Sequence, residues 1–308
     1  MSEHLYLLGH PIAHSKSPDM YNAVYRRFGL PWQYALADCA TVEEAQSFLD
    51  KQAFLSINIT TPYKPLALEA ATARAASAKL ARGANLLVKK GSALIAYNTD
   101  GQGCVSCLER TGFSFAGKSV VVCGTGPTAL AIMHAFAIAG AADITLVGRD
   151  GAKAGEVLSA YVEEYGKLAA ATIDLPPAQD HHRSFRKGYE ETAFCSGTYA
   201  ELAEVISMAD LVVNATPLGM KAGDPAPFDP QLLHEGQVVF DVVYGHGETA
   251  FVRAAREAGC TVHDGSGMLV AQAVATFLSV CDIEGVELEA KPDELYDIMS
   301  AAAGFSPA

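Results

Sequence analysis

Apolar and polar positions along this chain switch repeatedly between the alternation of a strand and the three-to-four spacing of a helix. His4 to Leu8 reads as a first strand closed by Gly9, and Ser17-Pro18 then opens a helix from Pro18 to about Phe28, with Gly29 behind it. Trp32 to Ala37 alternates as a second strand. Thr41-Val42-Glu43-Glu44 has capping-box spacing at the head of a helix to about Lys51. Phe54 to Asn58 is apolar and partly β-branched, a short buried strand that runs into Ile59-Thr60-Thr61-Pro62-Tyr63-Lys64. Helical segments are predicted from there through about Ala81. Leu86 to Lys89 and Leu94 to Tyr97 read as strands joined at Lys90-Gly91, followed by a helix from about Gly103 to Arg110.

The second half repeats the alternation. Lys118 to Cys123 is a tight β-branched strand that runs straight into Gly124-Thr125-Gly126-Pro127-Thr128-Ala129, a helix to Gly140 and a strand from Asp143 to Val147. Residues 162–200 carry no clear period, and the polar run from Pro176 to Gly188, containing His181 and His182, reads as a surface loop. Helix is predicted within Tyr199 to Met208, and strands at Asp210–Asn214, Gln237–Asp241 and Thr261–His263. An apolar helix from Met268 to Val280 and an acidic one from Pro292 to Ala303 complete the chain. Strands alternating with helices predict an α/β protein, and no internal repeat is visible.

At 308 residues the chain is long enough for two domains with separate cores. Its net charge of −13 argues against nucleic acid or an anionic membrane as a partner. A small anionic ligand stays open, because a helix end or one basic side chain overrules the global field locally. No apolar run approaches the roughly 18 residues that cross a bilayer, and the start of the chain lacks a signal pattern, so a cytoplasmic protein is expected. Seven scattered cysteines predict reduced, packed thiols; Cys104 and Cys107 form a Cys-x-x-Cys without a second pair, and no metal is expected.

Against this background a few positions carry chemistry. Lys64 follows a buried strand end, where partial desolvation suits an amine to proton transfer; a solvated lysine at a helix start is the alternative. Asp100, at the end of the strand closing at Tyr97, is placed either to orient that lysine or to cap the next helix. Ser17 is either a helix cap or, with Ser15, a carboxylate ligand at a helix N-terminus. The strand–glycine turn–helix–strand unit around Gly124, Thr125, Gly126, Pro127 and Thr128 is the pattern whose helix start cradles a pyrophosphate. Beyond it, Arg149 and Lys153 favour the 2′-phosphate of NADP, while Asp150 leaves NAD possible.

Taken together, these residues resemble the shikimate dehydrogenase family, including relatives that also take quinate. The resemblance rests on Gly9-His10-Pro11-Ile12-Ala13-His14-Ser15-Lys16-Ser17-Pro18, Asn58-Ile59-Thr60 with Pro62 and Lys64, Asn85, and Asn98-Thr99-Asp100-Gly101. It continues through the glycine loop, Asn214 to Met220, Asp241 with Tyr244, and Gly267-Met268-Leu269 with Gln272. The chain departs from the family pattern at Tyr21, Thr61, Leu86, Pro127 and His246.

The resemblance implies an N-terminal α/β substrate domain (residues 1–101 with about 266–308) and a Rossmann-like NADP-binding domain (102–265), with the active site in the interdomain cleft. It further implies that Ser15 and Ser17 hold a substrate carboxylate near Tyr244, that Asn58, Thr60, Asn85 and Gln272 shape the pocket, and that Lys64 and Asp100 flank the reacting hydroxyl. Gly124, Thr125, Gly126, Arg149, Thr216, Val242 and Gly265 would line the dinucleotide site. A small-molecule substrate, no nucleic acid or membrane, and a monomer or homodimer are expected. The competing readings are an enzyme of the same fold acting on quinate or an amino-shikimate analogue, and a nucleotide-binding regulator without turnover.

Overall fold

The apolar runs of the N-terminal part assemble into one sheet. In the computed structural model, which describes residues 3–171 and 180–305, its strands are β1 (Glu3–Gly9), β2 (Trp32–Asp38), β3 (Ser56–Ile59), β4 (Ala73–Arg74), β5 (Leu86–Lys90) and β6 (Ala93–Tyr97). They lie in the order β2-β1-β3-β5-β6-β4. β1 pairs in parallel with β2 and β3, and β5–β6 is an antiparallel hairpin joined antiparallel to β3. Between these strands run α1 (Ser17–Arg27), α2 (Val42–Lys51), α3 (Lys64–Ala70) and α4 (Ala76–Ala81). All four residues of β3 are buried, which is why it reads as a continuous rather than an alternating stretch.

β2 is an edge strand, and α1 covers part of that edge in an unusual way. The Asn22 side chain donates to the Tyr34 carbonyl and accepts the Tyr34 N–H, both at 2.9 Å. An amide side chain thus supplies the two hydrogen bonds that a neighbouring strand would make there.

α5 (Asp100–Arg110) leads into a second sheet of β7 (Ser119–Cys123), β8 (Asp143–Gly148), β9 (Ala193–Thr198), β10 (Leu211–Asn214), β11 (Val238–Asp241) and β12 (Thr261–Asp264). The order is β12-β11-β10-β7-β8-β9 and every pairing is parallel. Chain order reverses between β7 and β10, the switch point where doubly wound sheets bind ligands at the carboxyl ends of their strands. The connecting helices are α6 (Pro127–Ile138), α7 (Gly151–Ala171), α8 (Asp180–Glu191), α9 (Ala203–Met208) and α10 (Ala250–Glu257); α11 (Gly265–Glu284) and α12 (Pro292–Ala303) end the chain. The protein divides into two compact units, Met1–Cys104 with Leu269–Ala308, and Val105–Met268.

Several expectations need correction. The helical segments through Ala81 are α3 and α4, but a strand not foreseen separates them: after α3 the chain extends at Ala71, and Thr72 exchanges hydrogen bonds with the Leu94 backbone, drawing Ala73–Arg74 into the sheet beside β6. The expected loop at Pro176–Gly188 is helical from Asp180. Phe185 and Tyr189, four residues apart, pack on Tyr165, while Arg186–Glu190 and Lys187–Glu191 ion pairs line the exposed face. That polar face disguised the helix; residues 176–179 lie outside the described ones. The strand β9 escaped notice because its sequence, Ala-Phe-Cys-Ser-Gly-Thr, lacks a β-branched run.

An apolar run of membrane-spanning length does exist, contrary to the expectation. α11 is 20 residues long with a mean hydropathy of 1.5 over its most apolar stretch, but more than half of that stretch is buried inside the protein. Val270, Ala273, Phe277 and Val280 are at most 1% exposed, as in a core helix. None of the cysteines is in a disulfide; Cys104 and Cys107 are buried in α5, and burial pushes the Cys107 thiol up to about 11.

Candidate active site

β3 delivers Lys64 through a short turn. Ile59 donates its N–H to the Asn85 carbonyl, Thr60 to that of Leu8, and Tyr63 closes the turn on the Thr60 carbonyl, so α3 starts at Lys64 itself. Lys64 is therefore at a helix start, but it is not solvated: only 13% of its side chain is exposed. Its Nζ donates to Asp100 Oδ2 at 2.5 Å, and that aspartate side chain is 9% exposed. Asp100 is not the cap of α5. Asn98 Oδ1 accepts the Asp100 N–H at 3.1 Å in the manner of a cap, leaving the carboxylate to face sideways toward lysine.

A web of neutral hydrogen bonds holds this pair. Asn85 Nδ2 donates to Asp100 Oδ1 (2.7 Å) and to Thr99 Oγ1 (3.0 Å), while Asn85 Oδ1 accepts the Thr99 N–H. Thr99 in turn meets Gln272 and Thr276 of α11. Asn58 donates to the Asn85 carbonyl and accepts from the Tyr34 hydroxyl at 2.9 Å. Each of these buried polar groups has a partner.

Ser15 and Ser17 join the same region through Tyr34, whose hydroxyl Ser17 faces. The expected capping by Ser17 does not occur: Lys16 occupies the cap position with no side-chain bond. Ser15 Oγ instead takes the Ser17 N–H and donates to Ser17 Oγ, both at 3.2 Å, leaving two hydroxyls side by side beside a helix start. The loop that carries them is tied down at its base by His10 Nδ1 against Asp38 Oδ1 at 2.6 Å, a hydrogen bond that lowers the Asp38 carboxyl from its ordinary value. Thus Ser15, Ser17, Asn58, Thr60, Lys64, Asn85, Asp100 and Gln272 all belong to the first unit.

The residues expected at a dinucleotide lie along the carboxyl edge of the second sheet. Gly124 follows β7 with φ +116°, and a Cβ there would come within 2.9 Å of the Ala215 carbonyl, so only glycine lets the two switch-point loops approach. Gly126 caps α6 in an extended conformation with Pro127 in its first turn. Arg149 is exposed past β8, and Asp150 accepts the Lys153 N–H at 3.0 Å, so this carboxylate is engaged in capping α7. Thr216 follows β10, Val242 follows β11, and Gly265 packs against the Val242 carbonyl. Tyr244 lies in the loop after β11 of this second unit, with burial raising its phenol.

Some positioning residues had no role in the sequence reading. Tyr34, Thr99 and Thr276 belong to the first unit's network; Thr99 stood inside the Asn98–Gly101 motif, and for Thr276 the available signal was the period, one helical turn beyond Gln272. In the second unit Asn214 Oδ1 accepts from the Thr216 N–H and hydroxyl, and Asn214 Nδ2 donates to Asp241 Oδ1, which also takes the Val243 N–H. Thr249 closes on Asp241 Oδ2 at 2.7 Å. Desolvation raises the Asp241 carboxyl despite these bonds. Among the described residues, no three His, Cys, Asp or Glu side chains cluster as a metal site requires.

Comparison with known proteins shows which family the chain is similar to. Residues 7–87 match the model of the shikimate dehydrogenase substrate binding domain. A shikimate dehydrogenase (NADP(+)) of Moorella thermoacetica is 34% identical over 274 residues, covering 88% of this chain and 85% of the relative. Among solved structures, shikimate 5-dehydrogenase from Thermus thermophilus in complex with NADP(H) and shikimate superposes with a TM-score of 0.74 at 25% identity, covering 97% of this chain and 99% of that one. Quinate dehydrogenase from Corynebacterium glutamicum in complex with NAD gives 0.76 at 26% identity, covering 97% and 99%. With most of its length aligned at this identity, the chain belongs to the shikimate dehydrogenase family.

Proposed function

We propose that this protein catalyses the reversible NADPH-dependent reduction of 3-dehydroshikimate to shikimate, with Lys64 as the proton donor and Asp100 as the group that orients it. The observation that carries the reading is the Lys64–Asp100 pair, 2.5 Å apart and largely screened from water at the heads of two helices. Family membership supports it, as do the NADP(+) in the name of the Moorella relative and the shikimate bound by the Thermus enzyme.

In this reading the first unit takes the ring acid. Ser15 and Ser17 hold its carboxylate through adjacent hydroxyls and the N-terminus of α1. Asn58, Thr60, Asn85 and Gln272 position the ring hydroxyls. The Lys64 ammonium gives a proton to the ketone oxygen as that oxygen gains charge, and in the reverse direction the neutral amine takes it back. Asp100 keeps the ammonium aimed, because its second oxygen is already held by Asn85.

The carboxyl edge of the parallel sheet suits a dinucleotide by its glycine turn at the switch point and the helix start behind it. Gly124, Thr125, Gly126, Pro127 and Thr128 would hold the pyrophosphate, and Thr216, Val242 and Gly265 would line the remainder. Arg149 and Lys153 would meet the 2′-phosphate, the Asp150 carboxylate being occupied by the cap of α7. NADPH held there would supply the hydride for the ketone carbon. The enzyme is taken to be cytoplasmic, and a monomer or homodimer.

The test is to mix the protein with shikimate or quinate and either NADP or NAD, and to follow reduced-cofactor absorbance. Shikimate with NADP gives the highest kcat/KM if the reading holds; no signal in any combination overturns it. A second reading, quinate oxidation with NAD, is favoured by the likeness to the Corynebacterium enzyme in complex with NAD, and a higher kcat/KM for that pair would select it.

A further inference from the structure

One polar atom of the first unit stands outside the network around Asn85. Tyr21, on α1, is 1% exposed, and its ring stacks on that of Tyr34 with centroids 4.3 Å and planes 12° apart. The two phenols are treated differently. Tyr34 donates to Asn58 Oδ1, whereas the Tyr21 hydroxyl is buried without a hydrogen-bond partner. Asn58 and Thr276 face its oxygen, but neither meets hydrogen-bond geometry. Those two side chains bond to one another and continue into Asn85 and Thr99, and so to Asp100.

An unpaired buried hydroxyl is unfavourable, and phenylalanine would fill the same aromatic stack without that cost. The oxygen therefore has a use that the free protein does not display. We propose that Tyr21 is a positioning residue for the substrate, its hydroxyl being a reserve donor that pairs with Asn58 or Thr276 once a polyhydroxylated ring acid occupies the site. This rests on the reading that the first unit binds such an acid.

The physical step is a reshuffling of hydrogen bonds with no proton leaving its oxygen. The hydroxyls of Tyr34, Thr99 and Thr276 rotate about their C–O bonds, so an entering ligand hydroxyl draws one of them toward itself. The bond to the ligand also shifts the Asn58 or Thr276 side chain, bringing Asn58 Oδ1 or Thr276 Oγ1 into hydrogen-bond geometry with the Tyr21 O–H. The complex then holds a buried hydrogen bond that the free protein lacks. The gain is already present in the bound ground state, so it appears in affinity and not in turnover.

Tyr21→Phe keeps the ring and removes only the oxygen. Three quantities decide the matter: steady-state kinetics with shikimate and NADP, the Kd of shikimate by calorimetry, and Tm. The expected result is a rise of about 5- to 30-fold in KM and Kd, kcat within about twofold, and an unchanged or higher Tm. Unchanged KM and Kd in a protein whose wild type is active overturn this inference and leave the proposed function standing. A lowered Tm shows that the hydroxyl was paired in the free protein and also overturns it. A wild type that neither turns over nor binds shikimate or quinate overturns the proposed function, and this inference with it.

Discussion

Asn85 Nδ2 donates to Asp100 Oδ1 at 2.7 Å, and this single bond determines which carboxylate oxygen is left for Lys64. The Asn85 side chain is buried and bonds the Thr99 N–H as well, so it joins the start of the β5–β6 hairpin to the start of α5. Asn85→Ala would remove the acceptor of the Thr99 N–H and one donor to the Asp100 carboxylate. A loss of about 1–3 kcal/mol in unfolding free energy is expected, measured by denaturant titration, together with a fall in kcat greater than any rise in KM.

Lys64→Ala removes the proton donor but none of the groups assigned to the ring or its carboxylate. kcat is expected to fall by about 10²–10⁴-fold with KM changed little. Near-wild-type turnover in this variant would remove Lys64 from the mechanism.

Arg149→Ala tests the cofactor assignment separately from the chemistry. The exposed guanidinium beyond β8 is assigned to the 2′-phosphate, so KM for NADP should rise about tenfold or more while KM for NAD stays near its wild-type value. Equal effects on both would place Arg149 away from that phosphate.

Gly103 lies where α5 meets α11 within the first unit. A Cβ added there would stand 2.6 Å from Gln272 Cβ and 2.7 Å from its backbone nitrogen. Gly103→Ala gains helix propensity, but the steric shift dominates because backbone cannot yield as a side-chain tip does. We expect about 1–3 kcal/mol of destabilisation and a raised KM as Gln272 moves, read by thermal unfolding and kinetics.

His134 makes stability depend on acid. It is 7% exposed among Tyr165 and Phe185, its Nδ1 is unpaired, and burial lowers its pKa from 6.5 to about 4. Below pH 6.5 the unfolded chain takes up a proton that the folded one refuses. The contribution is thus complete above pH 6.5 and is lost as the pH falls toward 4, by about 3 kcal/mol at most. Denaturant titrations at pH 7 and pH 4.5 should show a smaller loss for His134→Leu than for wild type.

Much of this was legible in the sequence, and unevenly so. Strands buried on both faces, such as Val120–Cys123 and Ile57–Ile59, declare themselves by composition, and the glycine turn after Cys123 marks the switch point. Lys64 and Asp100 stood out because each is a polar residue at the end of an apolar run. What remained hidden depends on contacts far apart in the chain. Thr72 leaves helix for sheet because Leu94 offers it backbone groups, and no local pattern contains Leu94. Ser17 and Asp100 had a plausible local use as caps, but Lys16 stands at the cap of α1 and the Asp100 N–H is taken by Asn98, choices that no local pattern announces.

The asparagine that bonds both backbone groups of Tyr34 bears on how this protein behaves at high concentration. An open strand margin is an invitation for a foreign chain to continue the ladder, and here the molecule has answered it with its own helix. Asn22→Ala would withdraw that answer at one register position, turning a sealed border into a seam along which copies of the protein could zip together.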